Sequence, residues 1–337
     1  MLEGESDLVF PAELVKLDYT PDLTTAGIAY ACRSLPYTYN RMGGSYFNRL
    51  RRIVAGKAVE LAFRRYLVEQ AVPFDNLGTT PFTDPDRYDI AIGGRRCDIK
   101  SFLFLEKERI RELRRDPARL VQAAALVPAD QIASAHLNDE DLYIFAFMTA
   151  LVTSQPEDMA RALAAGQPVY LIHPFPQAWA RPTTWISLGR LVFNARTAQP
   201  VNLEIGGQGP NRSFQTEQLA LQGHQPLLAR SEFYSLAYLH TTQLPAGQVT
   251  VYSPSLKCNH PVPPTKWDNI WVYGMEIFLS GYITRGEFRR RARRLPAGSR
   301  VFQYEHTRTT NFSLSIAELY PINDLLDKAR TWAKRDT

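Results

Sequence analysis

The chain has 337 residues, 45% apolar and 22% charged, enough to bury sizeable cores and too mixed in composition for wholesale disorder. Its longest apolar stretch, residues 142–152, falls well short of the ~20 residues that span a bilayer. The opening MLEGESDLVF lacks the basic-then-apolar start of a secretory leader, so no membrane association is expected. Three scattered cysteines, Cys32, Cys97 and Cys258, argue against a disulfide framework or zinc finger and point to a reducing, cytoplasmic compartment. The formal net charge of +5 mildly favours a polyanionic partner. Thirty-one arginines stand against eight lysines, which makes each lysine a position to question.

In chain order, Thr20-Pro21 reads as the cap and first turn of a helix to about residue 33. After a Tyr-, Pro- and Gly-containing loop, Ser45 caps a long helix to about residue 70, with Phe47, Leu50, Val54, Ala58 and Leu61 as its apolar stripe. RYDIAIGGRRCDIKSF then places two alternating runs around Gly93-Gly94, the signature of a tight hairpin. A basic helix is expected over residues 106–125, a buried strand over 141–150, a short helix over 156–165 and another buried strand over 168–175. Past Pro182, alternating runs at 201–205, 233–239, 248–252 and 271–279 are separated by Gly- and Pro-rich turns such as GGQGPN. Two helices close the chain, one opened by the capping box Thr284-x-x-Glu287 and one at Pro321. The pattern predicts an α/β fold with a mixed β-sheet flanked by helices and a β-rich C-terminal domain. The expected segmentation is an N-terminal helical extension (1–44), a core (45–178) and the β-rich domain (179–337).

Chemistry concentrates at the hairpin. A two-residue turn pairs Ile92 with Arg95, Ala91 with Arg96, Ile90 with Cys97 and Asp89 with Asp98, so the two carboxylates share a face with Lys100 two residues on. Like charges so placed destabilise a sheet unless one takes up a proton or a cation neutralises both. A hard divalent ion, Mg²⁺ or Mn²⁺, suits such oxygen ligands. Lys100 can orient or deprotonate a water, which an arginine, holding its proton, cannot do.

These residues resemble the PD-(D/E)XK nuclease superfamily (restriction-endonuclease-like and RecB-like). Asp89 corresponds to the first strand carboxylate and Asp98-Ile99-Lys100 to the D/E-x-K tripeptide, the only such triplet in the chain. Gly56-x-x-x-Glu60 resembles the small-x-x-x-Glu pattern on the preceding helix. The resemblance covers about residues 45–175. It implies a restriction-endonuclease-like sheet and a divalent-metal-dependent deoxyribonuclease of the prokaryotic restriction or defence kind. By the same resemblance Asp89, Asp98 and Lys100 are catalytic, and Glu60, Asp89, Asp98 and the Ile99 carbonyl are metal ligands. The literal Pro-Asp, Pro85-Asp86, sits three residues early. Within that stretch the Gln-x-x-x-Tyr motif of the RecB-like branch is missing, with Gln122 and Gln131 only loose candidates.

Other readings stay open. Asp98 and Lys100 would also suit a solvent-facing ladder, and Glu60 an ordinary helix flank. The chain could be a catalytically silent nucleic-acid-binding or scaffold protein on the same fold, or a relative that cuts RNA or branched junctions. Arg285, Arg289, Arg290, Arg293 and Arg294 flank a Phe288/Ala292/Leu295 stripe, giving a candidate DNA-phosphate face or a solvated helix. The C-terminal domain is expected to recognise DNA, a partner protein or a second copy. Cys258-x-His260 lacks a second ligand pair and reads as a loop coincidence.

Overall fold

A computed structural model of the chain describes residues 13–38, 46–75, 89–133, 138–151, 156–165, 169–269 and 273–333. Ser45, Tyr88 and Pro85-Asp86, used in the sequence reading, lie outside them. The fold is mixed α/β, with helices and a mixed sheet.

The elements begin with β1 (Val15–Leu17), α1 (Pro21–Thr38), α2 (Tyr46–Glu69), β2 (Phe74–Asp75), β3 (Ile90–Ile92) and β4 (Arg95–Phe104). They continue with α3 (Lys107–Arg115), β5 (Ala124–Pro128), α4 (Ala129–Ile132), β6 (Leu142–Leu151), α5 (Pro156–Ala164), β7 (Leu171–Pro174) and α6 (Gln177–Ala180). Strands then dominate: β8 (Val192–Ala195), β9 (Val201–Gln208), β10 (Phe214–Leu221), β11 (Leu227–Leu228), β12 (Ser235–Thr241), β13 (Val249–Ser253), β14 (Cys258–Val262) and β15 (Asp268–Asn269). The chain closes with β16 (Tyr273–Thr284), α7 (Arg285–Arg291), β17 (Arg293–Leu295), β18 (Asn311–Ser315) and α8 (Ile322–Ala333).

The chain divides into two compact units, and not at the expected boundaries. One comprises Met1–Gly27, Val54–Leu151 and Gly274–Thr337; the other comprises Ile28–Ile53 and Val152–Tyr273. The described residues after 179 therefore fall in both units, as do the described residues 13–38. The physical reason is strand pairing. In the first unit a six-stranded sheet runs β1-β16-β6-β4-β3-β2, so a strand from the last quarter of the chain joins the central sheet. β7, expected in the core sheet, pairs instead with β12 and β15 in the second unit. Alternation identifies a strand but carries no information about which sheet receives it.

Within the first unit, β3 and β4 are antiparallel while β4 and β6 are parallel. β6 is buried on both faces from Leu142 to Ala150, as expected for a strand covered on both sides. Tyr143, Phe145 and Phe147 on one face of β6 join Phe102, Phe104 and Phe288 in an aromatic-rich core. α2 forms from its apolar spacing, with Leu50, Val54 and Ala58 fully buried. A side chain at Gly27 would meet the Val54 carbonyl oxygen at 2.8 Å, so α1 can approach α2 only with glycine there. The helix expected over residues 106–125 ends at Arg115 because Pro117 disfavours helical geometry at Asp116, which sits at φ −145°. A 3-10 turn follows, then β5.

In the second unit a five-stranded sheet (β10-β9-β12-β7-β15) and a four-stranded sheet (β11-β8-β13-β14) contribute to one apolar core. His173 of β7 and His260 of β14 meet Nε2 to Nε2 at 2.8 Å, and His173 Nδ1 donates to the Lys266 carbonyl at 2.9 Å. Phe175, Trp179 and Trp267 surround them. Burial, then the neighbouring His173, pushes His260 down to about 4, and burial lowers His173 as well. The folded state thus holds neutral imidazoles where the unfolded chain takes up protons below about 6.5. Stability is expected to fall as pH drops from about 6.5 to 4, by on the order of 2 kcal/mol. Urea unfolding at pH 7.5 and pH 5 checks this; His260→Asn should flatten the profile, and an unchanged slope would contradict the assignment.

Candidate active site

The hairpin turns through Gly93 and Gly94 with φ of 55° and 72°. Two successive left-handed residues define the type I′ turn that glycines favour. The register is Ile92↔Arg95, Ala91↔Arg96 and Ile90↔Cys97, matching the sequence reading for three pairs. At Asp89 the ladder changes: its amide donates to the Cys97 carbonyl at 3.1 Å, so the backbone turns at the strand end instead of pairing Asp89 with Asp98. Among the described residues no further β3–β4 backbone pair follows Ile90↔Cys97. The Asp89 carboxylate meets the Ile99 edge of β4 there, accepting the Ile99 N–H at 2.7 Å through Oδ2. A strand residue presents its N–H and C=O to the same edge, so the Ile99 carbonyl lies on that edge too.

Burial, and secondly the charge of Asp98, pushes the Asp89 carboxyl up from 3.8 to about 7; Glu60 adds to the rise, while the Ile99 N–H and Lys100 oppose it. Asp98 and Lys100 lie on one face of β4, partly buried, and the Lys100 ammonium pairs with Asp98 Oδ2. It also donates to Gln131 Oε1 at 2.8 Å and stands 5.7 Å from the centre of the Tyr143 ring. The structure therefore brings Asp89, Asp98 and Lys100 together, at the point where the aromatic face of Phe102 and Phe104 gives way to polar side chains.

Glu60 is placed differently. It is buried on α2, bonded by Lys57 Nζ at 2.8 and 2.9 Å and paired with Arg64. Gly56, one turn earlier, lies over Ser101, which puts α2 on the β4 face opposite Asp98 and Lys100. Arg64 also donates to the Asp89 carbonyl at 2.8 Å, linking Glu60 to the site through the backbone. Among the described residues no group of three or more His, Cys, Asp or Glu converges in metal-holding geometry. Of the four ligands the resemblance implies, Glu60 stands apart from Asp98, while Asp89, Asp98 and the Ile99 edge adjoin.

Lys57, Arg64 and Tyr143 carry no role in the sequence reading, and Gln131 enters it only as a loose candidate for the Gln-x-x-x-Tyr motif. Lys57 and Arg64 carried a signal, lying three before and four after Glu60 on one helix. Gln131 and Tyr143 reach the site only through tertiary packing.

The arginine cluster does not form one face. Arg285 is buried, its guanidinium donating to the Ile132 carbonyl at 2.8 Å and its amide to the Asp141 carbonyl at 2.7 Å. It is a structural residue and not a phosphate contact. α7 ends at Arg291, and Arg293 and Arg294 fall on β17, where neighbours point to opposite faces. Arg289 pairs with Asp139 at 3.1 Å, and Arg290, Arg293 and Arg294 are exposed. Arg285→Ala is expected to lower unfolding stability by about 2 kcal/mol through the lost charged hydrogen bond. Arg290→Ala should stay within about 0.5 kcal/mol of wild type. Equal urea midpoints for the two variants would refute the assignment.

Compared with known proteins, the chain matches no family model, no curated protein and no solved structure. No helix among the described residues is long and apolar enough to cross a membrane.

Proposed function

We propose that the chain is a divalent-metal-dependent nuclease that hydrolyses phosphodiester bonds in DNA, of the PD-(D/E)XK kind and the prokaryotic restriction or defence type. The observation that carries this reading is the meeting of Asp89 and Asp98 beside Lys100, with the Asp89 carboxyl raised to about 7 by burial and by its neighbouring acid. A buried acid whose ionisation is opposed by a neighbouring carboxylate forms a site that a cation relieves.

The residues present fit such a cation. Asp89, Asp98 and the Ile99 carbonyl would hold it, and Glu60 would support the site through Arg64. When bound, Mg²⁺ or Mn²⁺ supplies Lewis-acid polarisation of the phosphodiester and lowers the pKa of water. Lys100 would then hold the attacking water with its ammonium or, once it has given up a proton, take the water's proton as the neutral amine. Gln131 fixes the Lys100 head, and the Ile99 N–H fixes the Asp89 carboxylate. The exposed Arg290, Arg293 and Arg294 remain candidate phosphate contacts for DNA.

A second reading, a silent nucleic-acid-binding or scaffold protein, draws on one observation: Lys57 and Arg64 neutralise Glu60, and Lys100 neutralises Asp98. The separating experiment incubates the full chain with plasmid, linear single-stranded DNA and RNA in Mg²⁺, Mn²⁺, Ca²⁺ or EDTA. DNA cleavage in Mg²⁺ or Mn²⁺, with Ca²⁺ inactive, supports the nuclease. Full cleavage in EDTA excludes the metal mechanism, and binding without cleavage in every metal favours the silent reading.

A further inference from the structure

The second unit holds a cleft of about 210 Å³ lined by Ala180, Arg181, Pro182, Thr183, Trp185, Gln208 and Arg212. These seven residues bring two guanidinium groups. The cleft has a constructed wall. Trp185 donates its indole N–H to the Pro210 carbonyl at 2.8 Å, and its ring stacks on Tyr234 with centroids 5.8 Å apart at 29°. The Arg212 guanidinium stands over the Trp185 ring, 4.6 Å from its centre, so cation and indole are in contact.

The loop between β9 and β10 delivers that arginine under strain. Gly209 N–H bonds to the Ser213 carbonyl at 3.0 Å, and Arg212 N–H bonds to the Gly209 carbonyl at 3.1 Å. The turn leaves Arg212 at φ 62°, a left-handed conformation that costs a side-chain-bearing residue about 1 kcal/mol or more and that glycine or asparagine occupies more readily. Gln208 braces the same residue, its Nε2 donating to the Arg212 carbonyl at 3.0 Å. A hairpin tip could turn more comfortably without arginine, and here the strained residue is the one that aims a guanidinium into the cleft. Stacking engages the face of a guanidinium, whereas phosphate is bound by its in-plane N–H edge. Arginine planes and indoles are also the surfaces on which nucleobases stack.

We propose that this cleft binds a nucleoside phosphate, with Arg181 and Arg212 on the phosphate and the Trp185–Arg212 pair against the base. Its size admits one nucleotide unit and no duplex, so the ligand is a free mononucleotide or one nucleotide of a single strand. The site requires neither a divalent cation nor Asp98, so it goes beyond the hydrolytic reading and fails or stands independently of it.

The test titrates the full chain in EDTA, which prevents cleavage, with adenosine 5′-monophosphate, adenosine, inorganic phosphate and a short single-stranded oligodeoxynucleotide, following indole fluorescence. The expected result is saturable binding of the monophosphate or the oligonucleotide. Arg181→Ala and Arg212→Asn should each weaken it about 10- to 100-fold, the scale of one charge-assisted contact. Asparagine is chosen because it tolerates the left-handed turn, and matching thermal midpoints confirm that the variants fold. Adenosine should bind at least tenfold more weakly than its monophosphate. Tighter binding of the oligonucleotide identifies a nucleic-acid strand as the source, and tighter binding of the monophosphate a free nucleotide. No binding of either below about 1 mM, wild-type affinity in both variants, or inorganic phosphate binding as tightly as the monophosphate would each overturn the proposal.

Discussion

Lys100→Ala is expected to lower single-turnover cleavage of duplex DNA by about 10²–10⁴, the usual scale for losing a positioned proton-transfer group, while leaving Mn²⁺ bound as tightly or more tightly. The ammonium pairs with Asp98, so it competes with a cation for the same carboxylate. Removing it frees a ligand and removes a repelling charge. Lys100→Arg keeps the charge but not the capacity to give up a proton, so it should restore DNA positioning and little of the rate. A chain that prefers arginine almost four to one nevertheless places lysine here. Mn²⁺ titration beside rate measurement decides the matter: wild-type rates in Lys100→Arg would make this residue an electrostatic clamp and give water activation to another group.

Asp89→Asn is expected to make the metal-free chain more stable while abolishing cleavage. The wild-type carboxyl titrates near 7 in the folded chain against 3.8 as its ordinary value. The folded state therefore keeps a proton that the unfolded chain surrenders. This contribution is complete below pH about 4 and is lost as the pH rises to about 7. At pH 8 in chelator, Asp89 is a buried ionised group held beside Asp98, offset only in part by Lys100, at a cost on the order of 1–3 kcal/mol. Asparagine still offers an oxygen to the Ile99 N–H but carries no charge. Urea unfolding at pH 8 in EDTA should show the variant more stable, with a flatter profile from pH 4 to 8, and Mg²⁺ should stabilise only the wild type. A variant less stable than wild type in EDTA would mean that the Asp89 carboxylate serves the fold and not a cation.

Most of this site could be read from the chain because a two-residue glycine turn fixes strand parity. Once Gly93-Gly94 is the turn, the faces of Asp98 and Lys100 follow. Asp89 was harder, since it lies where β3 ends. There the Ile99 N–H is met by the Asp89 carboxylate and not by a fourth ladder pair. Glu60 illustrates a different limit. Helical spacing shows its partners Lys57 and Arg64, but that α2 meets the β4 face carrying Ser101 is settled only by tertiary packing. Arg285 looked like its neighbours in sequence, and only the docking of α7 against Asp141 and Ile132 buried it. The membership of β16 and β7 in their sheets was likewise illegible, because a buried strand pattern is the same in either sheet.

The central claim, that Asp89 and Asp98 hold the ion that cleaves DNA, is tested most directly by one comparison. An end-labelled duplex is incubated with excess wild-type chain or Asp98→Ala in Mg²⁺ or Mn²⁺, and cleavage is followed in a single turnover. The expected result is cutting by the wild type, stopped by EDTA, and at least about 10³-fold slower cutting by the variant, the scale of losing a group essential to the chemical step. Equal rates for the two proteins, or an intact duplex with wild type in both metals, would contradict it.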